Sequence, residues 1–278
     1  MSLTMTRAIS FATQLCISLA ARPGAFGTRF HNHLYAVLDL DFIYKAFTTT
    51  DLPAAIGGVR ALGIRGCAVS MPFKEACVAL VDELGPSAAA IGSVNTVVNT
   101  GGVLRAHNTD YLAVGQLIGE HGVDPALRLI LRGSGGMARA VAAALQGAGF
   151  RRGTIVSRNE RAGRALAAET AFDWAPEGAE LSADLLVNVT PIGMAGGPEA
   201  GDLAYSPDQI ARARVVFDVV ALPAETPLIV AARLAGRKVI TGAEVAVRQA
   251  LEQFVLYTGV RPSDAQVRAA AAFARQGS

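Results

Sequence analysis

Apolar runs of strand length alternate with segments of helical spacing along the whole chain. The runs that predict buried strands are 13–20, 42–47, 64–70, 128–132, 154–157, 184–189 and 215–220. Helices are predicted at 28–38, from Asp51 onward, from Pro72 to about Leu84, after Asp110, from a glycine-rich turn to about Ala148, and at 161–170, 243–257 and 263–275. The alternation of strand and helix predicts an α/β fold with mostly parallel sheets.

A glycine-rich turn joins the strand 128–132 to the helix that follows it. The turn reads Gly133-Ser134-Gly135-Gly136-Met137-Ala138. In this context Gly133 allows the tight turn, Gly135 lets the backbone approach a pyrophosphate, and Gly136 keeps the helix close to the strand. The free N–H groups at the helix start attract phosphate. The pattern predicts a dinucleotide-binding site, and an ordinary strand–helix turn is the alternative.

The strand after this helix ends in Ser157-Arg158-Asn159, with Arg161 close by. An acidic residue at this position would accept a hydrogen bond from the ribose 2′-OH of NAD. A guanidinium would instead bind the 2′-phosphate of NADP. We therefore expect NADP as the cofactor, with NAD as the alternative. Glu160 is the acidic residue nearby, and an interpretation of both arginines as solvated surface charges stays open.

The composition is that of a folded chain with two domains. Hydrophobic residues make up 51% of the 278 residues and charged residues 17%, which excludes a disordered chain. At roughly 100–200 residues per domain, this length predicts two domains. The net charge of +2 is too small to predict nucleic acid or an anionic membrane as the partner. We expect a small-molecule substrate instead.

The cysteines and histidines do not predict a metal site. Cys16, Cys67 and Cys77 form no CxxC pair and have no histidine at zinc-ligand spacing, so we expect reduced, mostly buried thiols. His31 and His33 would point to different sides of a helix, and we expect both at the surface. The N-terminus has no secretory pattern, and no apolar run of about 18 residues predicts a membrane span. The expected location is the cytoplasm.

Two polar segments stand out in the first half of the chain. One is Ser70-Met71-Pro72-Phe73-Lys74, and the other runs from Ser93-Val94-Asn95-Thr96 to Asn108-Thr109-Asp110. Lys74 comes just after a predicted strand, at the edge where open α/β sheets bind ligands. A lysine beside a carboxylate can exchange a proton with a substrate hydroxyl, and Asp110 is the candidate partner. From these residues alone, a surface salt bridge is the alternative.

Several ordered motifs make the chain resemble the shikimate dehydrogenase family over nearly its whole length. The motifs are Ser70-Met71-Pro72-Phe73-Lys74-Glu75, Ser93-Val94-Asn95-Thr96-Val97-Val98-Asn99, Asn108-Thr109-Asp110, Gly133-Ser134-Gly135-Gly136, Asn188-Val189-Thr190-Pro191-Ile192-Gly193-Met194, Glu225-Thr226-Pro227-Leu228 and Gln249-Ala250-Leu251-Glu252-Gln253-Phe254. Together, at these separations, they are far more specific than any one of them. The resemblance implies reduction of 3-dehydroshikimate to shikimate with NADPH.

The resemblance also implies roles for the residues at matching positions. Lys74 would be the catalytic acid/base and Asp110 its partner. The implied substrate-binding residues are Ser18, Ser70, Asn95 and Gln249. The implied cofactor-binding residues are Gly133, Gly135, Gly136, Ser157 and Arg158, with Met194 and Gly242 near the nicotinamide. For Ser18 and Asn95 the alternative is a turn-capping role, and for Met194 it is core packing.

Three positions depart from the family pattern. The family usually has two serines in its first strand–loop, whereas here Ser18 is followed by Ala20. Ala221 stands where a Tyr is frequent, and the usual Gly-x-Gly before the last long helix reads Gly242-Ala243-Glu244. These changes are typical of a shikimate-dehydrogenase-like subfamily. Quinate, aminoshikimate or another ring acid is the alternative substrate, and a protein that binds NADP(H) or a cyclic acid without turnover is the alternative function.

The motifs divide the chain into two α/β domains. We expect residues 1–110 and 243–278 to form the substrate-binding, catalytic domain, and residues 111–242 to form a Rossmann-type NADP-binding domain. Because the chain leaves the first domain and returns to it, a shared cleft that opens and closes around ligands is expected. Monomer and homodimer are both consistent with the sequence.

Overall fold

The computed structural model describes residues 8–21 and 23–276. The strands are β1 Gln14–Leu19, β2 Phe42–Phe47, β3 Gly66–Val69, β4 Glu83–Leu84, β5 Thr96–Thr100, β6 Val103–His107, β7 Leu129–Arg132, β8 Gly153–Ser157, β9 Asp173–Pro176, β10 Leu185–Asn188, β11 Val215–Asp218 and β12 Lys238–Thr241. The α-helices are α1 Phe26–Val37, α2 Leu52–Ala61, α3 Pro86–Ala89, α4 Thr109–Glu120, α5 Gly136–Gly147, α6 Glu160–Thr170, α7 Pro207–Arg212, α8 Pro227–Leu234, α9 Gly242–Thr258 and α10 Asp264–Arg275.

The described chain divides into two compact units. The first unit contains the residues up to Thr109 and those from Gln249 onward, and the second unit contains Asp110–Arg248. The chain passes from the first unit to the second at the start of α4 and returns within α9.

The first unit is built on a mixed six-stranded sheet in the order β2-β1-β3-β5-β6-β4. β1 pairs in parallel with both β2 and β3, and its Cys16, Ile17 and Leu19 are buried. β5 and β6 form an antiparallel hairpin that turns at Gly101 and Gly102, both at positive φ. A Gly-Gly pair is a strong hairpin signal because it tolerates the left-handed backbone. The expectation of a mostly parallel sheet therefore misses this hairpin.

The helix expected from Pro72 to about Leu84 is wrong. A short 3-10 helix spans Ala76–Leu80, and β4 follows it. The backbone N–H of Asp82 donates to the carbonyl of Leu104 at 2.9 Å, and the N–H of Leu104 donates to the Asp82 carboxylate at 2.7 Å. These bonds draw the segment onto the edge of the sheet beside β6, so tertiary pairing overrides local helix propensity.

The second unit is built on an all-parallel six-stranded sheet in the order β12-β11-β10-β7-β8-β9. Leu185, Leu186 and Val187 of β10 are fully buried, as expected for a parallel sheet covered on both faces. β7 pairs with β8 on one side and with β10 on the other. The strand order reverses there, and in doubly wound sheets ligands bind at the carboxyl ends of the strands at this reversal.

Two helices of the second unit were not anticipated. α7 begins after Ser206, whose hydroxyl accepts the N–H of Gln209, and α8 begins after Thr226, whose hydroxyl accepts the N–H of Ile229. Each cap precedes a proline in the first helical turn, which is a helix-start signal. The signal was present in the sequence although the helices are short.

The predicted state of the cysteines is confirmed. Cys16, Cys67 and Cys77 are free and buried, and burial raises the pKa of Cys77 to about 11. Across residues 8–21 and 23–276, no helix has both the length and the apolar character needed to cross a membrane. The expectation that the N-terminus carries no secretory pattern concerns residues 1–7, which lie outside the described part of the chain.

Candidate active site

Three polar segments of the first unit are hydrogen-bonded to one another. The backbone N–H of Val94 donates to the carbonyl of Lys74 at 3.1 Å, and the N–H of Asn95 donates to the carbonyl of His107 at 3.1 Å. The N–H of Ser70 donates to the carbonyl of Leu19 at the end of β1. The segments that carry Lys74, Asn95 and Thr109 thus converge at one edge of the sheet, although they are far apart in sequence.

Asn95 has one end of its side chain bonded and the other end without a partner. Its carboxamide oxygen accepts the backbone N–H of Thr109 at 2.7 Å and the hydroxyls of Thr109 and Thr96 at 3.1 and 2.9 Å. Its amide nitrogen is buried and has no hydrogen-bond partner within the described residues. Leaving a buried donor unpaired costs about 1–3 kcal/mol. A ligand oxygen at this nitrogen would remove that cost.

Gln253 extends this polar cluster, although no role was assigned to it from the sequence. Gln253 of α9 donates its amide to the hydroxyl of Thr96 at 3.2 Å, and both residues are buried. Gln249 lies one helical turn before Gln253 and is half-buried, so the two glutamines share a face of α9. This i, i+4 glutamine pair was the available signal for Gln253.

Ser18 lies in β1, opposite Ala46 of β2 and Ala68 of β3. It is half-buried and shares a hydrogen bond with the hydroxyl of Tyr44, whose pKa is raised well above its usual value by burial. Ala20, at the position where the family usually has its second serine, is buried at 8% exposure. The methyl group therefore replaces a hydroxyl at a site largely screened from water.

His31 is not at the surface, so that expectation is wrong. It is fully buried and its ring stacks on Tyr44 at a centroid distance of 4.4 Å. Tyr35, Tyr257 and Phe254 surround it. Burial lowers the pKa of His31 to about 3, so the ring is neutral at pH 7. The described residues contain no group of three or more His, Cys, Asp or Glu side chains that could hold a metal.

Lys74 and Asp110 each adjoin a residue of this cluster. The backbone carbonyl of Lys74 accepts the N–H of Val94, and Asp110 follows Thr109 in the sequence. The side chain of Lys74 is half-buried. Asp110 lies in the first turn of α4 and is 4% exposed. Asp110 is the first residue of the second unit, whereas Lys74 belongs to the first. Their assignment as a catalytic pair remains a proposal.

The glycine-rich turn of the second unit has the shape that a pyrophosphate needs. Gly133 has a φ of +129°, and a Cβ there would lie 2.8 Å from Val189, so only glycine fits. At Gly135 and Gly136 a Cβ would meet no atom within 4 Å. Gly135 is the N-cap of α5 and provides no side-chain capping bond. The residues fit a dinucleotide phosphate because backbone N–H groups and open space coincide there.

Ser157 and Arg158 at the end of β8 differ in environment. The buried hydroxyl of Ser157 donates to the carbonyl of Asn159 at 3.0 Å and accepts the indole N–H of Trp174 at 3.3 Å. Arg158 is 60% exposed, and its guanidinium lies 3.8 Å from Glu177 and 3.5 Å from Glu199. Arg158 is therefore an ion-paired surface residue and not a simply solvated one.

Met194 and Gly242 lie near the carboxyl edge of the parallel sheet. Met194 is 42% exposed, which contradicts core packing as its role. Its loop is held by a bond from the N–H of Ala195 to the carbonyl of Leu222 at 2.9 Å. At Gly242 a Cβ would lie 2.3 Å from the carbonyl group of Val220, so close backbone packing explains this glycine.

Glu244, the departure that follows Gly242, caps helix α9. Its carboxylate accepts the N–H and hydroxyl of Thr241, both at 2.8 Å, and contacts the ring of His121 at 2.9 Å. Burial alone would raise the pKa of Glu244, but these hydrogen bonds hold it below the usual value. The carboxylate is therefore a structural feature of the helix start.

A cavity of about 710 Å³ lies on the α7 side of the second sheet. Arg132, Val156, Tyr205 and Arg212 are among its described lining residues, and none of the candidate site residues is. Because Arg132 and Val156 directly precede Gly133 and Ser157 in the sequence, the cavity borders the two strands that carry proposed cofactor contacts.

The second unit has an all-parallel sheet with a glycine-rich turn at the reversal of its strand order, which defines it as a Rossmann-type dinucleotide-binding fold. The other unit of the chain, the first, is also an α/β unit. The family model of the shikimate dehydrogenase substrate binding domain matches residues 26–97. A shikimate dehydrogenase-like protein of Haemophilus influenzae is 56% identical over 95% of this chain and 97% of its own length. A shikimate dehydrogenase (NADP(+)) of Moorella thermoacetica is 37% identical over 82% of each chain. The chain belongs to the shikimate dehydrogenase family, which confirms the resemblance.

Solved structures of this family share the fold. A shikimate 5-dehydrogenase-like protein aligns with a TM-score of 0.94 and 55% identity over 96% of this chain and 100% of that one. Shikimate 5-dehydrogenase of Thermus thermophilus, in complex with NADP(H) and shikimate, aligns with a TM-score of 0.83 and 28% identity over 94% and 99%. Quinate dehydrogenase of Corynebacterium glutamicum, in complex with NAD, aligns with a TM-score of 0.85 and 28% identity over 92% and 97%. Members of the family thus bind NADP or NAD.

Proposed function

We propose that this protein is an NADP-dependent dehydrogenase that interconverts shikimate, or a closely related cyclic hydroxy acid, and its 3-dehydro form. Membership of an oxidoreductase family and the relatives named for this activity support the proposal. The observation that carries it is the buried amide nitrogen of Asn95, which has no partner among the residues that the structure describes and lies in a segment bonded directly to the backbone of Lys74. A donor of this kind suits a substrate hydroxyl or carbonyl oxygen.

Lys74 is the proposed acid/base of the reaction. In the oxidation direction its amine takes the proton of the substrate hydroxyl, and in the reduction direction its ammonium returns that proton. Asp110 orients the ammonium, and burial at 4% exposure strengthens its field. General acid–base transfer of this kind contributes roughly 10²–10⁴-fold to a rate.

The substrate contacts come from the first unit. The hydroxyls of Ser18 and Ser70 and the amide of Gln249 are suited to hydrogen-bond the ring hydroxyls and the carboxylate. The side chains of Ser18 and Gln249 are half-buried, whereas Ser70 is exposed at the end of β3. Gln253, through Thr96, fixes the polar groups around Asn95 and acts as a positioning residue.

The cofactor contacts come from the second unit. Bound NADP supplies the hydride acceptor for the carbinol carbon, and NADPH the hydride donor. The proposed contacts are Gly133, Gly135, Gly136, Ser157, Arg158, Met194 and Gly242. Of these, Gly135 and Gly136 leave open space beside the N-terminus of α5, and the exposed thioether of Met194 offers an apolar surface for a flat ring.

A second candidate is a dehydrogenase for a different ring acid, such as quinate or aminoshikimate. Ala20 favours it, because this buried methyl group removes a hydroxyl from the end of β1 that carries Ser18. The loss of one hydrogen bond costs about 0.5–1.5 kcal/mol. A substrate with one ring substituent fewer or more would meet this site differently.

A substrate panel tests the proposal. Shikimate, quinate and aminoshikimate are each offered with NADP and with NAD, and formation of the reduced cofactor is followed by absorbance. We expect turnover of at least one ring acid with NADP. Thermal stabilisation by a ring acid without any reduced cofactor would instead support a protein that binds the acid and does not convert it.

A further inference from the structure

Three charged residues stand at the carboxyl ends of three neighbouring strands of the second sheet. Arg132 ends β7, Arg158 follows β8, and Glu177 follows β9. The carboxylate of Glu177 pairs with Arg132 through one oxygen and lies 3.8 Å from Arg158 through the other. Glu199 reaches Arg158 from a different loop, at 3.5 Å. Arg158 therefore has carboxylates on two sides.

Arg132 positions Glu177. Its guanidinium also donates to the backbone carbonyl of Ala204, and its side chain is only 22% exposed. A guanidinium that binds a carboxylate and a carbonyl at once holds the carboxylate in one orientation. Glu177 is therefore anchored at the sheet edge beside Arg158.

The four groups balance in charge. Two guanidinium groups face two carboxylates, and the 2′-phosphate of NADP would add about two further negative charges. A 2′-phosphate at Arg158 must compete with Glu177 and Glu199 and is repelled by both. The 2′-hydroxyl of NAD has no such difficulty, because it can donate a hydrogen bond to a carboxylate at this edge.

We propose that Glu177 and Glu199 are specificity-determining residues that weaken the preference of Arg158 for NADP, so that the protein binds NADP(H) and NAD(H) with similar affinity. The proposal rests on the proposed function, in that a dinucleotide occupies this edge of the sheet. Arg158 alone would predict a strong preference for NADP. The carboxylates at 177 and 199, distant in sequence, change that prediction.

The chain contains its own probe of this site. Trp174 is the single tryptophan, and its indole N–H donates to Ser157, the residue before Arg158. Energy transfer from Trp174 to a bound reduced nicotinamide reports binding without any turnover. The full-length protein is titrated with NADPH and with NADH in the absence of substrate, and the ratio of the two dissociation constants is the measured quantity.

The variants are Glu177→Gln, Glu199→Gln and the double variant. The control is Glu225→Gln, which removes an equal charge from an ion pair with Arg233 at 3.0 Å elsewhere in the same unit. We expect the wild-type ratio to lie near one and each site variant to shift it about two- to fivefold towards NADPH, as removal of a partly exposed charge predicts. The control should leave the ratio unchanged.

Two results overturn the inference, and they differ in what they imply. If both cofactors bind but the double variant keeps the wild-type ratio, Glu177 and Glu199 do not set the preference, and the proposed function stands. If neither reduced cofactor binds to the wild-type protein, the inference and the proposed dehydrogenase function both fail.

Discussion

The carboxamide oxygen of Asn95 accepts the backbone N–H of Thr109 at 2.7 Å. Thr109 is the first residue of α4, so this oxygen satisfies a free N–H at the helix start while the amide nitrogen of the same side chain stays without a described partner. One side chain thus joins the proposed substrate site to the helix turn that carries Asp110. The two ends of Asn95 can be tested separately.

Asn95→Asp keeps the oxygen that accepts from Thr109 and removes the amide donor. We expect a rise in the KM of the ring acid of about tenfold or more, because a substrate oxygen loses its donor and meets a carboxylate. The control is Asn99→Asp, since the amide of Asn99 is also buried but donates to the carbonyl of Val59. This control should lower the unfolding temperature and leave KM unchanged. Equal KM values for Asn95→Asp and wild type would remove Asn95 from the substrate site.

Lys74→Met removes the proposed proton carrier. The expected result is a fall in kcat of about 10²-fold or more, with little change in the dissociation constant of NADPH. Lys45→Met is a matched control, because Lys45 lies in the same unit and packs its ammonium over the ring of Phe47. Steady-state kinetics and Trp174 fluorescence measure the two quantities. Wild-type turnover by Lys74→Met would exclude Lys74 from the mechanism.

His31 should make the stability depend on pH. Its pKa is about 3 in the folded chain, against an ordinary value of 6.5. Below about pH 6.5 the imidazole of His31 is therefore protonated in the unfolded chain, whereas in the folded chain it stays neutral down to about pH 3. The contribution of His31 to the free energy of unfolding is fully present above pH 6.5 and is lost as the pH falls. Between pH 6.5 and 5 the loss should approach about 2 kcal/mol.

His31→Phe isolates this contribution from that of other titrating groups. The phenyl ring can stack on Tyr44 as the imidazole does, but it takes no proton. Urea unfolding at several pH values should show a shallower decline for this variant than for the wild type. His33→Phe is the control, since His33 is half-buried and stacks on Phe273 near the surface. Parallel curves for the wild type and His31→Phe would contradict the prediction.

Local signals were sufficient where a short stretch determines the geometry. The side chain of Asp51 accepts the N–H of Ala54 at 2.9 Å, as its position before a proline predicted for the start of α2. The glycine-rich turn lies between β7 and α5, as its flanking patterns indicated. Both features depend on residues within one turn of each other, so no tertiary information was needed.

Contacts between distant segments were not predictable in this way. The bond from Gln253 to Thr96 joins α9 to β5, and although the spacing from Gln249 marks Gln253, no local pattern indicates that it meets Thr96. The pattern of α1 taken alone predicts a surface position for His31, whereas Tyr44 and Phe254 cover its ring from other elements. The pairing of Arg158 with Glu199 likewise depends on two loops that only the folded sheet brings together. The sequence therefore indicates which residues are candidates for the site, but it does not indicate how buried they are or which distant residues they contact.

Gly135→Ala separates cofactor binding from folding. A methyl group at Gly135 meets no atom within 4 Å, and the residue has an ordinary φ of −82°, so the variant should fold with close to wild-type stability, since the lower unfolded-chain entropy offsets the weaker N-cap preference of alanine. The same methyl group would occupy the space where a pyrophosphate approaches the backbone, and the affinity for NADPH should fall at least about tenfold, or about 1.4 kcal/mol. Gly57→Ala is the control, since its methyl group also meets no atom within 4 Å but lies in α2. Thermal unfolding and Trp174 fluorescence measure both effects, and unchanged NADPH affinity in Gly135→Ala would show that the phosphates do not bind at this turn.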